Sequence, residues 1–494
     1  MRDGFRRERH AGFAQRGLEP VREFVDGSGL GDESERAGAQ GVADGSGVGE
    51  GTHDEHTVAR VHEGRGVARR DGKAVFIEGA LTGETVTANV YRKKPSYENA
   101  RVEDILRASS QRVTPRCVNF GVCGGCSMQH LNPAAQVAAK QRVLEDNLWH
   151  IGKVRAGHML SPIHGPSWGY RRKARMTARY VHKKGGSLIG FHERGSSFVA
   201  DMTTCEVLPP AVARLLQPLR HLVNQLSIRE RMPQVELACG ETANVLVFRV
   251  LVTPSAEDMA LFKAFAEMNA VHVYLQPKGP DTAYPLWPAT PADLYYTLPE
   301  YGVKMPFFPT EFTQVNHDIN RVLVHRALSL LAPREGERVA DMFCGLGNFS
   351  LPIASLGVRV MGIEGSAGLL KRAAENAALN GLADRIEYRA MDLFKINAES
   401  FAALGAFDRM LIDPPRDGAA ELDDRAGVAD DLLDRRGGHR VEVGRPGLEG
   451  EAQYPILSIS RSERPKKCPT SWTTVFRISR RRWYSSPKSS VSGR

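Results

Sequence analysis

Apolar positions are sparse along residues 1 to about 52 and follow neither the two-residue period of a strand nor the 3.6-residue period of a helix. Gly, Asp, Glu and Arg dominate there, and such a stretch cannot bury enough apolar surface to offset the entropy of ordering. Residues 1–56 are therefore read as a disordered extension or the product of a mis-assigned start. The texture then changes. Short apolar runs separated by Gly and charged turns appear at Val58-Ala59-Arg60-Val61, at Ala74-Val75-Phe76-Ile77, from Glu84 to Tyr91 and from Ala100 to Leu106. Four or five strands in some fifty residues predict a small OB-like β-barrel over residues 57–108. Residues 109–310 mix strand-like segments with short helices and predict an α+β central domain.

From Arg338 the pattern becomes strand, Gly-rich turn, helix, strand. Val339-Ala340-Asp341-Met342-Phe343 leads into Gly345-Leu346-Gly347-Asn348-Phe349, and residues 358–364 form the next strand. Ser366 caps a helix over 367–380 whose stripe is Leu370, Ala373, Ala374 and Ala377, and Gly381 stops it. Further strands follow around Ile386 to Tyr388 and at Arg409-Met410-Leu411-Ile412. This alternation predicts an α/β domain with a parallel, doubly wound, Rossmann-like sheet over residues 311–418. Residues 419–494 hold little strand pattern.

The chain of 494 residues is 42% hydrophobic, ordinary for globular protein, and no apolar run approaches a membrane span. With no leader-like apolar stretch at Met1 to Gly17, a cytoplasmic protein without membrane contact is expected, working as a monomer. The net charge of +9 suggests a nucleic-acid partner, but residues 461–494 carry ten Lys and Arg against Glu463 alone, which leaves 56 basic and 56 acidic groups elsewhere. Local stretches must carry that inference. Arg92-Lys93-Lys94 suits phosphates or a solvated hairpin turn. The interleaved rings and cations of Trp168-Gly169-Tyr170-Arg171-Arg172-Lys173-Ala174-Arg175 suit RNA or a plain surface strand.

Seven cysteines are too few for a disulfide scaffold. Cys117, Cys123 and Cys126 lie in CVNFGVCGGC, with Cys205 in MTTCEVL as a distant fourth. Thiolates are soft ligands for an iron-sulfur cluster or for zinc, and Gly121, Gly124 and Gly125 let the loop wrap a compact object; free thiols are the third reading. Cys239 and Cys344 sit in apolar strand contexts as core residues. The turn from Asp341 to Phe349 can bring backbone N–H groups to a nucleoside cofactor. Glu364, 19 residues past Gly345, is placed for ribose hydroxyls, and Asp392 adds another acid. Asp413-Pro414-Pro415-Arg416 makes a rigid strand exit that aims Asp413 into the crevice.

In that order these motifs resemble the 23S rRNA (uracil-5-)-methyltransferases of the RlmD type, in the family of RNA 5-methyluridine methyltransferases. The likeness runs from about residue 57 to about 418. It implies a TRAM barrel, a central domain with a 4Fe-4S cluster on Cys117, Cys123, Cys126 and Cys205, and a class I methyltransferase domain. It also implies S-adenosylmethionine held by Gln314, Phe343, Asn348, Glu364, Asp392 and Asp413, and 23S ribosomal RNA as partner. Past Ala419 the resemblance stops. The family continues with Ser-Cys-Asn-Pro, whose cysteine attacks carbon 6 of uracil, and with a glutamate base in a His-Val-Glu context. This chain has no cysteine between Cys344 and Cys468, and the abrupt shift is what an out-of-frame translation would produce. The catalytic residues are thus unassigned. The competing readings are an RNA-binding iron-sulfur protein without catalysis on the same scaffold and, more distantly, a zinc-dependent nucleic-acid binder.

Overall fold

The computed structural model describes residues 54–62, 64–150, 155–156, 159–415 and 474–476. Most of the 1–56 extension and of the 419–494 tail, with Arg416 and Cys468, lies outside these residues. The first module has six strands, β1 (Asp54–Thr57), β2 (Arg60–His62), β3 (Arg65–Arg70), β4 (Lys73–Glu78), β5 (Thr85–Lys93) and β6 (Tyr97–Arg107). They join in the order β1-β5-β6-β4-β3-β2, and β4 and β6 run parallel. The module begins three residues before the expected boundary. It also contains β3, whose Arg65, Arg69 and Arg70 hide its strand pattern. Alternate residues of its strands, among them Val75, Ile77, Val86 and Ala88, close into one apolar cluster. Arg92, Lys93 and Lys94 are exposed at the end of β5.

Glu84 fixes the exit from this module. Its carboxylate is fully buried and accepts from Arg112 Nε at 2.6 Å and Nη2 at 2.7 Å, from Leu81 N at 2.8 Å and from Ser109 N at 3.1 Å. A buried charge is tolerable because every lone pair finds a donor.

The cysteine loop follows, then α1 (Pro133–His150). The central sheet takes β7 (Lys173–Val181), β8 (Gly186–Gly190), β9 (Gln234–Cys239), β10 (Asn244–Arg249), β11 (His272–Gln276) and β12 (Tyr284–Trp287), in the order β12-β11-β10-β9-β7-β8. One face packs on α2 (Pro210–Ala213), α3 (Leu216–Gln225) and α4 (Ala256–Asn269), through Val212, Leu219, Phe248 and Phe262. The other face, with Val245, Val247 and Tyr274, shares a core with the hairpin β13 (Tyr295–Leu298) and β14 (Val303–Pro306) and with α5 (His317–Leu331). Leu346, Phe349 and Leu351 belong to that same core, so apolar packing runs continuously across residue 310.

The last sheet has β15 (Arg338–Met342), β16 (Arg359–Glu364), β17 (Ile386–Ala390) and β18 (Arg409–Ile412), all parallel, in the order β17-β16-β15-β18. The connecting helices are α6 (Ser350–Ser355), α7 (Ala367–Leu379) and α8 (Ala398–Ala402). Ser366 accepts from Leu369 N as the N-cap of α7, and Gly381 takes φ +66° just beyond it. One expectation is corrected. The sheet expected to be parallel is mixed, because β19 (Thr474–Phe476), from the tail that holds little strand pattern, pairs antiparallel with β18.

Candidate functional site

The strand order reverses between β15 and β18, and in open α/β sheets the crevice at such a switch receives ligands. Phe343 leaves the carboxyl end of β15 there and Asp413 that of β18, with Asp413 N donating to Met342 O at 3.4 Å. The loop after β15 is tightly wound. Phe343 holds φ +66°, a conformation that costs a residue bearing a Cβ about 1 kcal/mol or more, and Gly345 and Gly347 follow at +56° and +97°. At Gly347 a Cβ would run into Leu351.

Glu364 ends β16 one strand away. Its Oε2 accepts from Gly345 N at 3.2 Å and its Oε1 from Ser366 N at 3.0 Å, which holds the carboxylate against the loop and leaves lone pairs for a further donor. Asp392 follows β17. The hydrogen bond from Lys395, with a salt bridge of 3.0 Å, keeps its carboxyl below the ordinary value, and Phe394 N caps it at 3.1 Å. The Phe394 ring lies 5.5 Å from that of Phe343, forming an aromatic wall beside the loop. Gln314 precedes Asn316, the N-cap of α5, and the same helix reaches Asn348 through Asn320. The half-buried Gln314 side chain makes no hydrogen bond to the described residues.

Phe343, Asn348, Glu364, Asp392 and Asp413 thus gather at the carboxyl ends of four neighbouring strands, with Gln314 arriving along α5. Four more residues went unassigned in the sequence. Tyr296 and Asn320 bond the Asn348 amide. Asp341 is fully buried, and its Oδ2 accepts from Ser350 Oγ at 2.5 Å while its Oδ1 has no partner. Burial pushes its carboxyl up to about 7; the Ser350 hydrogen bond opposes that and the nearby Asp413 adds to it. A charged residue inside an apolar strand run was the available signal for Asp341.

The second site is a cavity whose walls include Cys117, Cys123, Cys126 and Cys205, together with Phe120, Phe191 and Met202. Asn119 Nδ2 donates to Thr204 O at 3.0 Å and ties the three-cysteine loop to the segment that carries Cys205. Gly125 N donates to Cys123 Sγ at 3.4 Å. Burial pushes the Cys205 thiol up to about 11, against hydrogen bonds from Val207 and Leu208 N–H, and Cys126 and Cys117 stand close enough to raise it further. A Cβ on Gly124 would press on His192 O at 3.1 Å, so the loop needs its glycines to pack here. Among the described residues no three His, Cys, Asp or Glu side chains converge as ligands of one metal ion.

The stretch from Trp168 to Arg175 does not offer its rings to solvent as an RNA platform would. Trp168 and Tyr170 are half-buried against the central core, Arg175 pairs with Glu236 at 2.9 Å, and Lys173 donates to Glu311 O. Cys239 and Cys344 are core residues as expected, 1% and 3% exposed. No helix among the described residues is long and apolar enough to cross a membrane.

Residues 313–430 match the model of the TRM5/TYW2 methyltransferase domain. A solved tRNA (uracil-54, C5)-methyltransferase from Pyrococcus abyssi, in complex with S-adenosyl-L-homocysteine, superposes with a TM-score of 0.56 at 18% identity, covering 78% of this chain and 89% of that one. That likeness establishes the fold, a class I methyltransferase domain within a larger architecture. Among curated proteins, the 23S rRNA (uracil(1939)-C(5))-methyltransferase RlmD of Burkholderia pseudomallei strain 1710b is 60% identical over 363 residues, 72% of this chain and 78% of the relative. The protein of the same name from Aromatoleum aromaticum is 60% identical over 358 residues, covering 72% and 83%. With that identity over that length, the chain belongs to the family of 23S rRNA (uracil-C5)-methyltransferases of the RlmD type.

Proposed function

We propose that this chain is a cytoplasmic, monomeric enzyme that transfers the methyl group of S-adenosylmethionine to carbon 5 of a uridine in 23S rRNA. The target would be the one corresponding to uracil 1939 in its relatives' names. The observation that carries the cofactor assignment is the Glu364 carboxylate, clamped by two backbone N–H groups with lone pairs to spare, one strand from the strained loop of Phe343. In this reading Glu364 accepts from the ribose, Phe343 and Phe394 line one side of the base, and Asp392, Asp413, Asn348 and Gln314 complete the contacts. The surrounding acids favour a cationic sulfonium ligand.

Carbon 5 of uracil becomes nucleophilic only after a thiolate adds to carbon 6. The resulting enolate takes the methyl group, a base removes the carbon 5 proton, and the thiolate leaves. The base must also be unstacked to enter the crevice. Neither Cys239 nor Cys344 suits that role, since burial pushes the first thiol up to about 12 and the second well above its ordinary value. The family's Ser-Cys-Asn-Pro and His-Val-Glu segments have no counterpart in this chain past Ala419, so the nucleophile and base stay unassigned. On the RNA side, the exposed Arg92, Lys93 and Lys94 of the barrel supply phosphate contacts.

Four thiols on one cavity wall, joined by a hydrogen-bonded loop, suit a 4Fe-4S cluster held by Cys117, Cys123, Cys126 and Cys205. When bound, such a cluster supplies a redox-capable metal centre. Apart from it, the loop's own bonds already join it to the Cys205 segment. Calorimetry with S-adenosylmethionine tests the cofactor site. Glu364→Ala should remove roughly 1.5–3 kcal/mol, the worth of a charge-assisted hydrogen bond. Equal affinities in parent and variant would refute the assignment.

A further inference from the structure

Side chains from two separate elements meet at the amide of Asn348. The Tyr296 hydroxyl, from β13, donates to Asn348 Oδ1 at 2.8 Å. Asn320, from α5, forms a two-way amide pair: its Nδ2 donates to Asn348 Oδ1 at 2.9 Å and its Oδ1 accepts from Asn348 Nδ2 at 2.9 Å. Tyr296 is 3% exposed and Asn320 2%. Burial also pushes the phenol's ionisation well above its ordinary range, so it stays a hydroxyl.

The direction of these bonds follows from the phenol. Among the described residues Asn348 is its one hydrogen-bond partner, so its proton has a single place to go. A buried O–H left undonated would cost more than a carbonyl with a spare lone pair. The Asn348 oxygen therefore sits between Tyr296 and Asn320, and its nitrogen donates to Asn320 Oδ1. With Oδ1 accepting twice and one Nδ2 hydrogen spent on Asn320, a single N–H is left.

We propose that Tyr296 and Asn320 are positioning residues that lock the Asn348 carboxamide so that it meets the cofactor only as a hydrogen-bond donor. This rests on the reading of Asn348 as a cofactor contact. An unlocked amide rotates about its last torsion and offers either atom, whereas the locked one selects an acceptor on the ligand at that point and is ordered before the ligand arrives. The lock also hands cofactor geometry to the hairpin, which shares its core with the central sheet.

The test is calorimetric titration of the full chain with S-adenosylmethionine, comparing the parent with Tyr296→Phe, Asn348→Ala, Asn348→Asp, the double variant Tyr296→Phe/Asn348→Ala, and Glu364→Ala. Tyr296→Phe keeps the ring and should weaken binding roughly 3- to 10-fold, and Asn348→Ala roughly 10-fold. The double variant should bind no more weakly than Asn348→Ala, because Tyr296 acts through Asn348. Asn348→Asp keeps both acceptor bonds but replaces the amide nitrogen, and with it the free N–H and the bond to Asn320 Oδ1, by an oxygen, and should bind at least as weakly as Asn348→Ala. A Tyr296→Phe loss of equal size in the Asn348→Ala background would mark a purely structural effect and overturn the proposal. Parent-like binding by Asn348→Asp would overturn the donor assignment. Parent-like binding by Asn348→Ala, with Glu364→Ala weakened, overturns the proposal but leaves the cofactor site standing. No binding by the parent overturns both.

Discussion

Asp341 holds a carboxyl with no exposure, one hydrogen bond from Ser350 and an oxygen without a partner, in a sheet whose neighbouring loops already carry Asp413 and Glu364. Replacing it with Asn keeps the shape and an acceptor for Ser350 but removes the ionisation. The magnitude follows from linkage. The ordinary value is 3.8 and burial pushes the folded value up to about 7. Between those values the native state holds a proton that the unfolded chain has released, so stability present below pH 3.8 is lost as pH rises to 7, at about 1.4 kcal/mol per pH unit. From pH 5 to pH 8 that amounts to about 2–3 kcal/mol, nearly all of it below pH 7. Urea unfolding of parent and Asp341→Asn, followed by circular dichroism at pH 5, 6, 7 and 8, reads the effect as a difference that cancels other titrations. The variant should gain on the parent steadily from pH 5 to 7 and then level off. A difference independent of pH would refute the raised ionisation and with it the role of burial at Asp341.

Glu84 should behave in the opposite sense. Burial alone would raise its carboxyl, but hydrogen bonds from Arg112 and from the N–H groups of Ser109 and Leu81 hold it below the ordinary 4.5, so its contribution is present above pH 4.5 and fades as pH falls through the folded value. Glu84→Ala should cost about 3–5 kcal/mol by stranding Arg112, read as an earlier urea midpoint; a change under about 1 kcal/mol would contradict the assignment. Protein purified without oxygen should be brown and carry about four irons per chain, and Cys205→Ser should lose colour and iron together. Colourless parent protein with stoichiometric zinc would contradict the cluster.

The parallel strands of the methyltransferase domain were legible because buried parallel strands read as apolar runs, and Ser366 and Gly381 punctuated the helix between two of them. Cys117, Cys123 and Cys126 were legible as one loop from their spacing and the glycines between them, whereas Cys205, a distant fourth in sequence, shares a cavity wall with them only in the fold. Strand β3 was not legible, because Arg65, Arg69 and Arg70 interrupt a pattern that only Gly66, Val67 and Ala68 carry inward. The Trp168 to Arg175 stretch was open to two readings, because sequence alone does not show that Trp168 and Tyr170 pack against the central core, that Lys173 donates to Glu311 O, or that the Arg175 side chain stays 65% exposed beside Glu236. Tyr296 and Asn320 lie 52 and 28 residues from Asn348, and no local period connects them. Pairing of residues 474–476 with β18 was equally invisible, because a three-residue edge strand has too little pattern to read.

Methyl transfer itself is the most direct test. The assay follows tritium from labelled S-adenosylmethionine into unmodified 23S RNA, with nucleoside analysis to locate it. Two chains are compared, the protein of 494 residues and a second one carrying the family's Ser-Cys-Asn-Pro and His-Val-Glu segments in frame after Ala419. Equal cofactor binding by both is expected, with label at carbon 5 of a single uridine from the second and markedly less from the first, because loss of a covalent step costs orders of magnitude in rate. A second chain that binds the cofactor and the RNA yet leaves carbon 5 unlabelled would contradict the uridine methyltransferase reading of this scaffold.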